Sequence, residues 1–158
     1  MVTKNVFELT QEGVNQLKEE LAYLLGEARD KNIEALQEAR AQGDLSENAD
    51  YDAAREEQSR IESRILELQN ILKNVKIIAE STDDSKVTIG KNIKVEFVGK
   101  GLTKEYKLVG TIEANPFDGK ISNESPLGKA ILNKKVGSTI KFKSETGKEL
   151  EVKIISID

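Results

Sequence analysis

The sequence predicts an α+β protein in which a long antiparallel α-helical hairpin of coiled-coil type precedes a small antiparallel sheet domain with one short helix. Apolar residues recur at heptad spacing in the first half, and they alternate with polar residues in the second. A polar segment separates the two patterns at residues 80–85. We therefore expect a hairpin over residues 1–79 with its tip at 43–50, a linker over 80–90, and a globular domain over 91–158.

The heptad pattern runs through both predicted helices. The first helix is predicted by alternating steps of three and four residues, after which the register shifts; its apolar positions are Val14, Leu17, Leu21, Leu24, Ala28, Ile33 and Leu36. The second helix is predicted by Ala54, Ile61, Ile65, Leu68, Leu72 and Val75. Each helix should contain roughly 25 to 30 residues, which at about 1.5 Å per residue gives a reach on the order of 40 Å.

Alternating apolar residues predict the strands of the second domain. They occur at 93–97, 140–142 and 150–154, with further strand candidates at 106–112 and 120–122. Ser125 followed by Pro126 is a favourable helix start, with serine as N-cap and proline at the first helical position, and predicts a helix over 127–132. From the residues alone, this domain is either a docking module or a support for the base of the hairpin.

The composition excludes several classes of chemistry. The 158 residues include no cysteine and no histidine, which excludes thiolate chemistry, imidazole catalysis and zinc sites of the usual kind. The net charge of −4 argues against autonomous, tight binding of nucleic acid. No stretch approaches the roughly 18 apolar residues of a membrane span, and no signal peptide is evident, so we expect a cytoplasmic protein without membrane contact.

The predicted tip places two carboxylates, Asp44 and Glu47, between the two helices. One interpretation is a capping box, in which Asp44 is the N-cap of the second helix and Glu47 its N3 residue, with Ser46 as a rival N-cap. Gly43 then ends the first helix with a positive φ. The other interpretation is a pair of carboxylates delivered to a divalent ion in a partner's site.

Two arginines flank the tip. Arg40 and Arg55 could contact phosphate groups or acidic groups of a partner. A purely structural explanation also exists, because Arg40 would lie in the last turn of the first helix and Arg55 could pair with a nearby acid. The sequence leaves both explanations open.

The run GDLSENADYDAARE at 43–56 resembles the tip of the bacterial Gre (GreA/GreB) family of transcript cleavage factors. The segments EALQEARAQ, NVKIIAE and GKISNESPLGKAILNKKVG also resemble that family, so the similarity covers essentially the full chain. Asn133 departs from the family pattern, because a glycine usually follows the short helix.

This resemblance implies a partner mechanism. The hairpin would enter the secondary channel of bacterial RNA polymerase that has backtracked, and would stimulate Mg²⁺-dependent cleavage of the nascent RNA 3′ end. Asp44 and Glu47 would be the catalytic and metal-binding acids, holding a Mg²⁺ shared with the polymerase and absent from the free protein. The chain would therefore not be an enzyme by itself.

The resemblance also implies contact residues. Arg40, Asn48, Tyr51 and Arg55 are candidates for contacts with polymerase or RNA, with a role in shaping the tip as the alternative for Asn48 and Tyr51. Ser125 and Pro126 are candidates for docking through an FKBP-like domain. The free protein is expected to be a monomer. Two alternatives remain: a Gre-like regulator that occupies the channel without stimulating cleavage, and a coiled-coil adaptor whose acids only cap a helix.

Overall fold

The computed structural model describes residues 5–44, 47–79 and 81–158 and divides the chain into two compact units. One unit includes Val14–Val75, and the other consists of Val6–Gly13 and Lys76–Asp158. This division differs from the predicted boundaries at two places. Residues 6–13 belong to the second unit, and Val87, inside the predicted linker, is fully buried in that unit's core.

The helical unit is a hairpin of helices. Helix α1 covers Gln11–Tyr23, a π-helical turn covers Leu24–Ala28, α2 covers Arg29–Ala41, and α3 covers Ala49–Lys73. The observed helices match the predicted lengths. Buried residues of the hairpin include Ala28, Leu36, Ala39, Ala54, Ile61, Ile65, Leu68 and Ile71.

The π-helical turn changes which residues are buried after it. A π turn adds one residue relative to a regular α-helix, and the buried positions continue as Asn32, Leu36 and Ala39. The prediction that Ile33 belongs to the apolar stripe is therefore wrong, since its side chain is 49% exposed. Asn32 takes the buried position and donates a hydrogen bond from Nδ2 to the Ala54 carbonyl of α3, at 2.9 Å.

Two inter-helix ion pairs lie along the hairpin. The Arg29 guanidinium donates to both carboxylate oxygens of Glu62, at 2.8 and 2.7 Å. Arg64 donates to Glu20 in the same two-point geometry, at 2.7 and 2.9 Å. Paired contacts of this kind fix the relative rotation of two helices more tightly than a single contact does. They therefore specify the register between the helices.

The second unit is built on a five-stranded sheet. Its strands are β3 (Asn92–Phe97), β4 (Leu102–Val109), β5 (Lys120–Ser122), β6 (Thr139–Lys143) and β7 (Glu149–Ile157). Their order across the sheet is β5-β4-β3-β7-β6. Short 3-10 helices cover Thr111–Glu113 and Pro116–Asp118, and helix α4 covers Pro126–Ile131. The core comprises Val87, Ile93, Val95, Leu108, Ile131, Val152, Ile154 and Ile157.

The sheet differs from the predicted one in two respects. It is mixed rather than purely antiparallel, because β5 pairs with β4 in the parallel direction. The strand predicted at 106–112 begins earlier, at Leu102, and ends at Val109, where the chain turns into a 3-10 helix. Parallel pairing needs a connection longer than a hairpin loop, and the two 3-10 helices lie in that connection.

The sequence did not predict two short strands, one before the first helix of the hairpin and one after its last helix. Strand β1 (Phe7–Leu9) pairs with β2 (Val75–Ile77) in a separate two-stranded sheet. The next residue, Thr10, is buried, and its hydroxyl accepts a hydrogen bond from the Gly13 amide, as in a helix N-cap. Glu113 accepts from the Thr10 amide at 2.8 Å and from the Thr10 hydroxyl at 2.5 Å.

Asn133, which follows the C-cap residue Leu132 of α4, has a left-handed backbone with a φ of 62°. Asparagine tolerates this region better than other residues that carry a Cβ. Its amide donates to the Val87 carbonyl at 2.9 Å, which connects the end of α4 to the core. Asn133 therefore adopts a backbone conformation that glycine commonly has just after a helix.

Candidate functional site

The first helix of the hairpin ends where the sequence predicts. Gln42 is the C-cap of α2, and Gly43 has a φ of 112°, which a residue with a Cβ rarely adopts. The Gly43 amide donates to the Arg40 carbonyl at 3.3 Å. A left-handed glycine just after a helix is the common way to end it. The prediction for Gly43 is confirmed.

The second helix begins later than the capping box predicts. Its N-cap is Asn48, whose Oδ1 accepts a hydrogen bond from the Tyr51 amide at 3.0 Å. The prediction that Asp44 is the N-cap and Glu47 the N3 residue is wrong, because both precede the N-cap. Asp44, Ser46 and Asn48 are all residue types that favour an N-cap. In the structure the N-cap is Asn48, whose side chain also bonds the Ala39 carbonyl of α2. The rival cap, Ser46, lies outside the described residues.

Asn48 makes a second contact with its other side-chain atom. Its Nδ2 donates to the Ala39 carbonyl, in the last turn of α2, at 2.7 Å. The same carbonyl also accepts from the amide of Gln42, the C-cap of α2, at 3.3 Å. One half-buried side chain thus bonds an amide at the start of α3 and a carbonyl near the end of α2.

The two predicted catalytic acids lie at the surface of the tip. Asp44 and Glu47 are both exposed. They line one open depression together with Gln42, Asn48, Ala49 and Asp50. The arrangement presents two carboxylates on a short segment outside either helix.

Tyr51 lies between the two predicted arginines. The guanidinium carbons of Arg40 and Arg55 are 5.9 and 6.0 Å from the centroid of the tyrosine ring. Arg55 also donates to the Tyr51 hydroxyl at 3.3 Å. The structure thus brings these three predicted residues together, with Arg40 in the last turn of α2 and the other two in α3. Cations near an aromatic face are attracted by the ring quadrupole.

The arginines change the acidity of the tyrosine. Hydrogen bonding to Arg55, and then to Arg40, lowers the pKa of the Tyr51 phenol below its ordinary value. The cause is that both cations favour the phenolate. A positively charged aromatic surface of this kind can stack on a base and meet a phosphate at the same time.

The predicted docking residues lie in the second unit. Ser125 is the N-cap of α4, accepting from the Gly128 amide at 3.0 Å, and Pro126 is at the first helical position. The helix they begin was predicted. Both residues line an open, mainly apolar groove that also includes Ile121, Leu127 and Phe142.

Sequence reasoning missed the N-cap position of Asn48 and the structural role of Glu113. The nearby Asp44 and Ser46 are equally plausible N-cap residue types and obscure the position of Asn48. Glu113 lies 103 residues from Thr10 along the chain, and no local pattern connects them. The Thr10 to Gly13 spacing is a signal for the helix start that could have been found.

Comparison with known proteins agrees with these features across the chain. A family model described as transcription elongation factor, N-terminal, matches residues 7–77, and one described as transcription elongation factor, GreA/GreB, C-term, matches residues 81–158. The chain belongs to the GreA/GreB family of transcription elongation factors. The resemblance and the α+β prediction are confirmed.

Relatives match over nearly their whole length. Transcription elongation factor GreA of Acholeplasma laidlawii is 57% identical over 157 residues, covering 99% of each chain. The factor of the same name from Bacillus anthracis is 40% identical over 158 residues, again covering 99% of each. Among solved structures, the GreA factor homolog Gfh1 of Thermus thermophilus is 28% identical over 98% of this chain and 99% of its own, with a TM-score of 0.44.

The tip of this GreA/GreB family member has a donor set suited to a shared ion. Asp44 and Glu47 supply the oxygen atoms that Mg²⁺ prefers, and Mg²⁺ is often held by one or two carboxylates together with substrate phosphates. Among residues 5–44, 47–79 and 81–158, no group of three or more His, Cys, Asp or Glu side chains could hold a metal ion. Two carboxylates can supply part of the coordination sphere of Mg²⁺. No helix in these same ranges is long and apolar enough to cross a membrane.

Proposed function

We propose that this chain is a transcript cleavage factor that inserts its hairpin into the secondary channel of bacterial RNA polymerase. There it brings Asp44 and Glu47 to the polymerase active site and stimulates cleavage of the backtracked RNA 3′ end. The chain is not an enzyme by itself, because the polymerase carries the hydrolysis activity that it stimulates. Relatives named transcription elongation factor GreA support the coarse assignment.

One observation carries the proposal: Asn48, and not either acid, caps α3. The adaptor alternative explains the tip carboxylates as the cap of α3, a role that Asn48 fills. Both acids instead lie exposed beside one depression. Carboxylates exposed at the tip, outside α2 and α3, lie on a surface that a partner's site can contact.

The two acids would share the work at the active site. Asp44 would mainly provide a metal ligand, and Glu47 a metal ligand or an acceptor that orients the attacking water. A Mg²⁺ ion bound there would supply charge stabilisation and an activated water. The tip alone should bind Mg²⁺ poorly, since two carboxylates leave most ligand positions to the polymerase and the RNA phosphates.

The length of the hairpin suits the delivery of Asp44 and Glu47 to a site far from the base of the hairpin. With 25 residues, α3 has a length of about 38 Å at about 1.5 Å per residue. The pairs Arg29–Glu62 and Arg64–Glu20 hold the helices in register along it. A narrow two-helix rod can therefore carry the acids away from the base of the hairpin.

The remaining predicted residues would make contacts with the complex. Arg40, Tyr51 and Arg55 form a cationic aromatic cluster that is suited to the RNA 3′ segment or to acidic groups of polymerase. Ser125 and Pro126 would belong to the surface that docks at the rim of the channel. We further propose that the protein is a cytoplasmic monomer. Positive charges along the coil are interspersed with acids, which favours behaviour of GreA type, with removal of short RNA fragments.

The test is RNA 3′-end cleavage in a backtracked elongation complex. Wild-type protein should stimulate cleavage, and the double variant Asp44→Asn plus Glu47→Gln should not, while competing with wild type for polymerase equally well. Asp52→Asn is a matched control, because Asp52 is an exposed acid in the first turn of α3. It should keep wild-type stimulation.

Two results would contradict the proposal. Equal cleavage with the wild type and the double variant would show that the acids are not donated groups. Binding of the wild type without any stimulation would favour a regulator that only occupies the channel.

A further inference from the structure

We infer that Asn48 is the positioning residue that holds the acid-bearing segment in a cleavage-competent geometry. This inference rests on the proposed function, and it assigns Asn48 an internal role in place of a contact with polymerase or RNA. Asn48 acts through Asp44 and Glu47, because its own polar atoms are used within the hairpin.

The geometry shows a clasp between the two helices. Asn48 Nδ2 donates to the Ala39 carbonyl at 2.7 Å, and Asn48 Oδ1 accepts from the Tyr51 amide at 3.0 Å. The two bonds use the two polar atoms of one planar amide. A side-chain amide with both polar atoms hydrogen-bonded has little rotational freedom.

The clasp holds Asn48, the residue that directly follows Glu47. The segment that carries both acids leaves α2 after Gln42 and enters α3 at Asn48. The bond to Ala39 fixes its far end against the last turn of α2. Glu47 is directly attached to Asn48, so a change at Asn48 moves the adjacent carboxylate.

Asparagine has a property here that other good N-caps lack. Aspartate and serine cap helices about as well as asparagine does. Aspartate offers no donor and would place a second oxygen near the Ala39 carbonyl, and serine is too short to reach that carbonyl. Both replacements therefore retain the cap and remove the bond to α2.

This difference makes the inference testable with Asn48→Asp and Asn48→Ser. Misplacing reacting groups by about 1 Å can reduce a rate about 100-fold, and we expect both variants to stimulate RNA cleavage at least about 10-fold less than wild type. The Mg²⁺ concentration for half-maximal stimulation should rise, because the two carboxylates no longer share a fixed spacing. Competition for polymerase and helix content by circular dichroism should remain at wild-type values.

Two further variants separate positioning from stability. Asn74→Ser is the matched control, because Asn74 Nδ2 also donates to a backbone carbonyl, that of Asn70 at 2.9 Å, at the opposite end of α3. It should keep both the rate and the Mg²⁺ dependence. Asn48→Ala removes cap and clasp together and should lower the thermal midpoint as well as the rate.

The outcomes distinguish the two proposals. If wild type stimulates cleavage and Asn48→Asp and Asn48→Ser do so equally well, the positioning role is refuted while the proposed function stands. The role is also refuted if the loss of rate in each variant simply follows its loss of helix content, with an unchanged Mg²⁺ dependence. A wild-type protein that fails to stimulate cleavage overturns the proposed function and this inference with it.

Discussion

Replacing Thr10 with valine should destabilise the second unit by removing one hydroxyl. Thr10 is 1% exposed, and its hydroxyl serves two partners at once. It accepts from the Gly13 amide at 3.1 Å and donates to Glu113 at 2.5 Å. Valine has nearly the same shape, so the change removes these bonds without leaving a large cavity.

The size of the effect follows from the two lost bonds. Loss of a helix N-cap costs about 1 kcal/mol, and a hydrogen bond to a charged group contributes about 1.5 to 3 kcal/mol. The added methyl group recovers less than about 1 kcal/mol. We therefore expect the free energy of unfolding to fall by about 2 to 3 kcal/mol.

Urea unfolding measures this change. Fluorescence of Tyr106, which packs against the core of the second unit, reports on that unit when Tyr23 and Tyr51 are replaced by phenylalanine. With a slope of about 2 kcal/mol per molar urea, the midpoint of Thr10→Val should fall by about 1 to 1.5 M. The midpoint of Thr10→Ser, which keeps the hydroxyl, should fall much less than that of Thr10→Val.

The control is Thr103→Val, at an exposed position of β4. It should leave the midpoint close to that of the parent protein. If Thr10→Val and Thr103→Val unfold at the same urea concentration, the bonds to Gly13 and Glu113 contribute no stability and the reasoning is refuted.

Three further results are expected. The Tyr51 phenol should titrate below the ordinary tyrosine value, and in Arg55→Gln its pKa should rise, as ultraviolet titration would show. The hydrogen bond to Arg29 lowers the pKa of Glu62. The stabilisation of the hairpin by this pair is therefore fully present above the pKa that Glu62 has in the unfolded chain, and it is lost as the pH falls through the pKa that Glu62 has in the folded protein. Glu62→Gln should weaken this loss of stability in acid, as followed by circular dichroism. Asn133→Ala should cost about 1 kcal/mol in urea unfolding, because alanine resists a φ of 62°, whereas glycine there should not.

The hairpin was predictable because its pattern is long and periodic. Heptad spacing over two helices reports on the buried face directly, and Ile61, Ile65 and Leu68 are buried as expected. The error at Ile33 arises from the π-helical turn at Leu24–Ala28. The sequence shows that the apolar register shifts after Ala28, but it does not show that a polar residue, Asn32, takes the buried position.

Features formed by distant residues were not predictable in the same way. Strand β1 has three residues, too few for a period to be recognised, and its partner β2 follows α3. The parallel pairing of β5 with β4 likewise depends on the connection between them.

At the tip, the sequence placed the two acids between the helices but did not show which residue is the N-cap of the second helix. Asp44, Ser46 and Asn48 are all residue types that favour an N-cap. The choice depends on the Ala39 carbonyl, which only the folded hairpin brings within 2.7 Å of Asn48. The cluster of Arg40, Tyr51 and Arg55 likewise needs both helices in place.

The proposed donation of Asp44 and Glu47 to the polymerase active site is tested most directly by a double-mutant cycle. Single-turnover RNA cleavage would be measured in a backtracked complex saturated with wild type, Asp44→Asn, Glu47→Gln or the double variant. Groups that act as a unit are strongly non-additive, so each single variant should lose most of the stimulation and the double variant little more. Wild-type rates in both single variants, at equal occupancy of polymerase, would contradict the proposal.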